Sequence, residues 1–207
     1  SKESHGAILR DISIQKEKFG KFESNNKKVL IEYVSSNPTG PLHVGHGRGA
    51  VFGSVLSRLL KEAGFQVDEE YYVNDFGRQM NILSASLWIR YAQIFDKNIK
   101  MLNNGYQGDY LIGIAQNLKK LRSDELYQDD EEIKSLLENE NEEAEKHTDQ
   151  VIDSIKSKLS DEFSYVRDFA LREILELIKE DLLEFGVDHN HWFSESALYK
   201  SLSLIHI

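Results

Sequence analysis

Both prolines of this 207-residue chain, and five of its thirteen glycines, fall between residues 38 and 53. Proline fixes φ and glycine frees it, so this stretch is built for a particular backbone path. On its N-terminal side lies VLIEYV, residues 29 to 34, a short apolar run that predicts a strand. On its far side Val44, Val51, Phe52, Val55, Leu56, Leu59, Leu60 and Ala63 recur at helical spacing. They predict a helix that packs on the strand carrying Val29, Leu30 and Ile31. Gly64 is placed to stop that helix in a left-handed cap, and Val67, Glu69, Tyr71 and Val73 alternate onto one side of a second strand. The unit reads β-α-β over about 45 residues, which implies a parallel pair joined by a crossover.

Beyond Asn74 and Asp75 the pattern turns helical. Phe76, Met80, Leu83, Leu87, Tyr91 and Ile94 suit one helix, and Tyr110, Leu111, Ile114, Ala115, Leu118 and Leu121 a second. Phe163, Val166, Ala170, Ile174, Leu177, Ile178 and Leu182 mark a long one that stops near Gly186, and HNHWF, residues 189 to 193, reads as a last short strand. The fold class is therefore α/β: a partial open parallel sheet with a helical insertion. Residues 1–27 read as the remnant of an upstream segment or linker, 28–75 as the β-α-β unit, 76–186 as the mainly helical insertion and 187–207 as a short strand with an irregular tail.

The formal charge of -10 speaks against a nucleic-acid partner only until its distribution is read. Residues 123 to 150 hold twelve acids against Lys134 and Lys146, which accounts for all of it, and that stretch reads as a solvated helical face or surface connection. Residues 1 to 61 carry ten Lys or Arg against five acids. The absence of cysteine removes disulfides, thiolate metal sites and a cysteine nucleophile, and fits a reducing, cytoplasmic setting. No stretch approaches the roughly 20 apolar residues of a membrane span, so no membrane partner is expected. His189 and His191 read as strand residues, since spacing supplies no further ligands and no metal site is expected; Trp88 and Trp192 read as core aromatics.

The chemistry concentrates in Ser35-Ser36-Asn37-Pro38-Thr39-Gly40-Pro41-Leu42-His43-Val44-Gly45-His46-Gly47-Arg48, where the first strand hands over to the helix. In an open parallel sheet this is where ligands bind. A helix N-terminus offers unpaired N–H groups and a partial positive charge to a phosphate. His43 and His46 add aimed donors, and Gly45 removes a side chain where a flat base can approach the backbone. Such imidazoles act by stabilising charge that grows on a transferring phosphoryl group, not as nucleophiles.

His-Val-Gly-His resembles the HIGH signature of class I aminoacyl-tRNA synthetases. SSNPTGPLHVGHGR together with YYVNDFGRQ is similar to the arginyl-tRNA synthetase family in particular, with weaker likeness at Gly105 to Leu118 and at FGVDHNHWFSESALY. The resemblance implies a Rossmann-type catalytic domain that condenses arginine with ATP to arginyl-adenylate and then esterifies tRNA(Arg). It implies His43, Gly45, His46 and Gly47 as ATP-binding, with His43 and His46 catalytic, and Glu32 and Asn37 as arginine-binding, Glu32 attracting the α-ammonium. A carboxylate in the middle of VLIEYV is costly unless it points into a wet site. Ser35, Asn74, Asp75 and Gln79 stand second, because a turn role suits Ser35 and a helix-capping role suits Asn74 or Asp75 about as well. ATP enters as substrate with Mg2+ accompanying it, and tRNA(Arg) through the full-length protein.

Three features depart from the family pattern. No KMSKS-like lysine loop occurs in these residues, Gly40 stands where some arginine enzymes carry a compensating lysine, and LSLIHI after ALYKS reads as a foreign or prematurely terminated ending. The fragment alone is therefore expected to be inactive, with residues 202 to 207 loosely held or covering an exposed surface. Two other readings stay open at this stage. One is a small-molecule nucleotidyltransferase using the same H-x-G-H turn; the other is a non-catalytic module that binds nucleotide or tRNA.

Overall fold

The computed structural model describes residues 2–138 and 144–200. The chain forms two compact units that interleave in sequence.

The first unit comprises Ser1–Ser35, Val44–Tyr72 and Val187–Phe193. It opens with helix α1 (Lys2–Gln15) and a 3-10 turn (Lys16–Lys18), followed by β1 (Lys28–Glu32), α2 (Val44–Glu62) and β2 (Gln66–Val73). Strand β3 (His191–Ser194) completes a three-stranded sheet of order β1-β2-β3. β1 and β2 pair parallel, Lys28 opposite Gln66 through to Glu32 opposite Glu70, so β1-α2-β2 is the expected crossover. Gly64, at φ +86°, ends α2. Glu69, Tyr71 and Val73 alternate inward along β2 as their spacing predicts. The last strand begins at His191, so His189 lies before it and not on it.

The packing face of α2 is the reverse of the one its apolar spacing predicts. Ala50, Gly53, Ser54 and Ser57 are the buried residues, whereas Val44, Val51, Phe52, Val55, Leu56 and Leu59 are exposed, Val44 at 96% and Phe52 at 72%. The reason is steric. A Cβ on Gly53 would lie 2.1 Å from Cγ of Tyr33, so the helix backbone rests directly on that ring, and only small residues let it come so close. Leu30 is likewise exposed, on the side of β1 opposite Val29 and Ile31.

The second unit comprises Ser36–His43, Val73–Gly186 and Ser194–Ile207. Its helices are α3 (Arg78–Ala92), α4 (Tyr110–Arg122), α5 (Glu131–Glu138), α6 (Ala144–Leu159), α7 (Asp161–Glu184) and α8 (Glu195–Lys200). α3 packs on α4, α6 and α7 and is buried nearly all round, which is why one apolar stripe understates it. Phe76 precedes α3 and is half exposed, outside the predicted stripe. Trp88 is a core aromatic whose Nε1 donates to the Leu126 carbonyl at 2.9 Å, and Trp192, in the first unit, stacks on Tyr71 at 4.4 Å. Arg122 on α4 forks onto both carboxylate oxygens of Glu162 on α7 at 2.9 Å. In the acidic stretch α5 turns Ile133 and Leu137 inward, with Glu131 and Glu132 exposed to water. Gly186 follows α7 at φ +77°. The expected loose tail, 202–207, lies outside the described residues. Among the described residues no helix is long and apolar enough to cross a membrane.

Candidate functional site

As the chain leaves β1, Val34 (φ +69°) and Ser35 (φ +39°) are both left-handed. For a β-branched residue this is a strained conformation, and it persists only where neighbours over-determine it. Here the Tyr33 N–H donates to the Glu70 carbonyl at 3.3 Å and Ser35 Oγ accepts from the Tyr72 N–H at 3.0 Å, tying the turn to β2. Ser35 thus acts on the sheet edge. Glu32, the last residue of β1, is exposed, so its carboxylate stays in water at the strand end.

Beneath the sheet lies a polar cluster that sequence reading missed. Glu69 is buried, accepting from Tyr33 Oη at 2.6 Å and Lys61 Nζ at 2.5 Å, while Asn190 Oδ1 accepts from its backbone N–H. Burial pushes the Glu69 carboxyl up, but the hydrogen bonds from Lys61 and Tyr33 outweigh it and hold the group below its usual range. Burial, then the Glu69 hydrogen bond, pushes the Tyr33 phenol up, so it remains a donor. His189 lies against the Tyr33 ring at 4.3 Å with Tyr71 and Trp192 edge-on, and burial holds its imidazole below the ordinary value. The only sequence signal for this cluster was the inward position of Glu69 on an otherwise apolar strand face.

In the second unit, Asn37 joins two of the second-rank residues. Its Oδ1 accepts from Asn74 Nδ2 at 3.1 Å and its Nδ2 donates to Gln79 Oε1 at 2.9 Å. Three amides in series fix the Asn37 plane, leaving one N–H and one lone pair of that side chain for a ligand. Asp75 stands apart from this chain. Its carboxylate accepts from Ser194 Oγ at 2.6 Å, Ser196 Oγ at 3.0 Å and the Ser196 N–H at 2.7 Å, which fastens the start of α8. Tyr110, predicted only as a helix-packing residue, donates its hydroxyl to the Thr39 carbonyl at 2.5 Å.

His43 is exposed and directly precedes α2, whose first turn contains Gly45, His46 and Gly47 and no acidic residue. No carboxylate of that turn itself opposes the positive end of the helix dipole. Among the described residues no group of three or more His, Asp or Glu side chains converges to hold a metal ion.

The family model for the catalytic domain of class I tRNA synthetases of the arginine type matches residues 8–189. The chain belongs to that family. The match favours the synthetase reading over the small nucleotidyltransferase. Arginine–tRNA ligases from Hydrogenovibrio crunogenus and Coxiella burnetii are 45% and 44% identical over 94% and 95% of the chain. The chain spans about a third of their length, 35% and 34%. A solved arginyl-tRNA synthetase from Campylobacter jejuni superposes with a TM-score of 0.74 over 98% of this chain and 38% of its own, at 28% identity. The Thermus thermophilus arginyl-tRNA synthetase, at 21% identity and a TM-score of 0.50, shares the fold over 97% of this chain and 29% of its own. The α/β class with a Rossmann-type partial sheet and a helical insertion is the architecture of this synthetase family.

Proposed function

We propose that the whole protein carrying this chain activates arginine with ATP and transfers it to tRNA(Arg), and that residues 28–75 supply the ATP-cradling part of the site. The observation that carries the reading is the His-Val-Gly-His sequence at the start of α2, directly after β1, in a chain matched to the arginine family over residues 8–189.

In this reading the arginine carboxylate attacks the α-phosphorus of ATP, forming the mixed anhydride and releasing pyrophosphate. His43 and His46 donate to the phosphate oxygens as charge grows on them, and the N–H groups of the α2 first turn add to the same field. Gly45 and Gly47 leave the backbone open to the nucleotide. Glu32 attracts the α-ammonium of arginine, and Asn37, its amide oriented by Asn74 and Gln79, orients the substrate. Ser35 and Asp75 serve by holding backbone: Ser35 the strand exit and Asp75 the α8 start. Mg2+ would accompany the ATP phosphates. With no lysine signature loop among its residues, the 207-residue chain alone binds nucleotide weakly and does not turn over. The reaction belongs in the cytoplasm, where tRNA is charged.

The test is amino-acid-dependent exchange of pyrophosphate into ATP by the whole protein. Arginine should support exchange and the other amino acids should not. Exchange supported better by another amino acid defeats the reading.

A further inference from the structure

We propose that Tyr110 is a positioning residue for the segment that leads into the signature histidines, acting from α4 on Thr39 and Gly40, the two residues between its prolines. This rests on the reading of the segment as part of the nucleotide site.

Pro38 and Pro41 lock their own φ, so in Pro38-Thr39-Gly40-Pro41 the φ angles left to adjust are those of Thr39 and Gly40. Tyr110 engages both. Its hydroxyl donates to the Thr39 carbonyl at 2.5 Å, and its ring lies against Gly40, where a Cβ would meet Cζ and Oη at 3.3 Å. On the ring's other approach a Cβ on Gly108 would come within 2.4 Å of Cε1. The ring therefore occupies space that two glycines, remote from each other in sequence, leave open. A side chain at residue 40 would press on it, which gives Gly40 a physical reason of its own in this chain.

The anchor is firm. Tyr110 is the first residue of α4, whose Leu111, Ile114, Ala115 and Leu118 are buried, so the backbone that carries the half-buried ring is fixed by the core. Burial, with Tyr106 adding to it, pushes the Tyr110 phenol up to about 12, so the hydroxyl is a proton donor throughout the neutral range. Thr39 is further held by its N–H on the Asn37 carbonyl at 2.8 Å, so Tyr110 fixes the path between the oriented Asn37 amide and His43. Leu42 and His43 follow, and α2 begins at Val44.

The experiment compares the wild-type chain with Tyr110→Phe, Tyr110→Ala and Gly40→Ala. Three readouts are taken: amide hydrogen exchange at Thr39, Gly40, Leu42 and His43, ATP affinity by titration calorimetry, and the global unfolding midpoint. Loss of one neutral hydrogen bond in Tyr110→Phe should speed loop exchange and weaken ATP binding by about fivefold, with the midpoint nearly unmoved. Tyr110→Ala should do so by tenfold or more, and Gly40→Ala should act in the same direction by displacing the ring. Tyr110→Phe and Gly40→Ala keep the test decisive where Tyr110→Ala fails to fold. Unchanged loop exchange in these variants overturns the proposal, as does a loss of ATP affinity that only tracks the unfolding midpoint. Absence of ATP binding by the wild type, with loop exchange still sensitive to Tyr110, upholds the clamp and instead strikes the nucleotide reading.

Discussion

The helical unit and the sheet unit obey opposite packing rules. In the helical unit large apolar residues at helical spacing face inward, and α3 is covered on nearly every side. In the sheet unit α2 buries Ala50, Gly53, Ser54 and Ser57 and turns Val51, Phe52, Val55 and Leu59 outward. The signature histidines border this second kind of helix. The helical unit thus rests on a deep apolar core, while α2 rests on a close backbone fit at Gly53 that depends on absent side chains.

The largest effect should come from the helical core. Trp88 is fully buried and donates to the Leu126 carbonyl, so Trp88→Ala should cost about 3–5 kcal/mol in urea unfolding of the chain. A cost below about 1 kcal/mol would break the contrast. Next comes the reversed face of α2. Gly53→Val places atoms where the Tyr33 ring already lies, and overpacking of this kind should cost about 1–3 kcal/mol. Tolerance of valine at residue 53 would mean that the helix does not rest on Tyr33.

A smaller, pH-dependent effect belongs to His189. Burial holds its imidazole below the ordinary 6.5, so as pH falls below about 6.5 the unfolded chain takes up a proton that the folded chain does not. Stability is therefore full above that pH and declines as pH falls toward the folded value, by at most about 1.4 kcal/mol per pH unit. The carboxyl of Glu69, held below its ordinary 4.5, adds its own loss only at lower pH. Urea unfolding at a series of pH values should show the first decline, and His189→Phe, which keeps a ring against Tyr33, should flatten it. A decline that survives the substitution belongs to other groups. The smallest effect is on the exposed side of α2: Phe52→Asn should change unfolding free energy by no more than about 0.5 kcal/mol.

These contrasts explain how far the sequence could be read. The β-α-β order, the parallel pairing, the stop at Gly64 and the inward side of β2 were legible, because alternation and glycine placement are local signals. The buried face of α2 was not. Periodicity identifies a stripe but not its partner, and the spacing of Val51, Val55 and Leu59 says nothing of the Tyr33 ring that Gly53 accommodates. At the candidate site the signature segment was legible as sequence, and Asn74 and Gln79 were legible as neighbours of a sheet edge. That both hydrogen-bond to Asn37, while Asp75 fastens Ser194 and Ser196 instead, depends on contacts between residues 37 to 121 positions apart. Tyr110 was visible only as one apolar residue among several on α4; the turn Gly108-Asp109-Tyr110 carried the signal, but only the position of Gly40 gives it meaning.

The central claim is that the chemistry lies at the start of α2 and is separable from what keeps the chain folded. It is tested most directly by arginine-dependent pyrophosphate exchange in the whole protein with His46→Ala, with thermal unfolding followed on the same sample. His46 is half-buried in the first turn and belongs to neither apolar core. Exchange should fall by about 10²-fold to 10³-fold with the unfolding midpoint unchanged. Exchange that is unaffected, or that falls only as far as the midpoint does, would contradict the account.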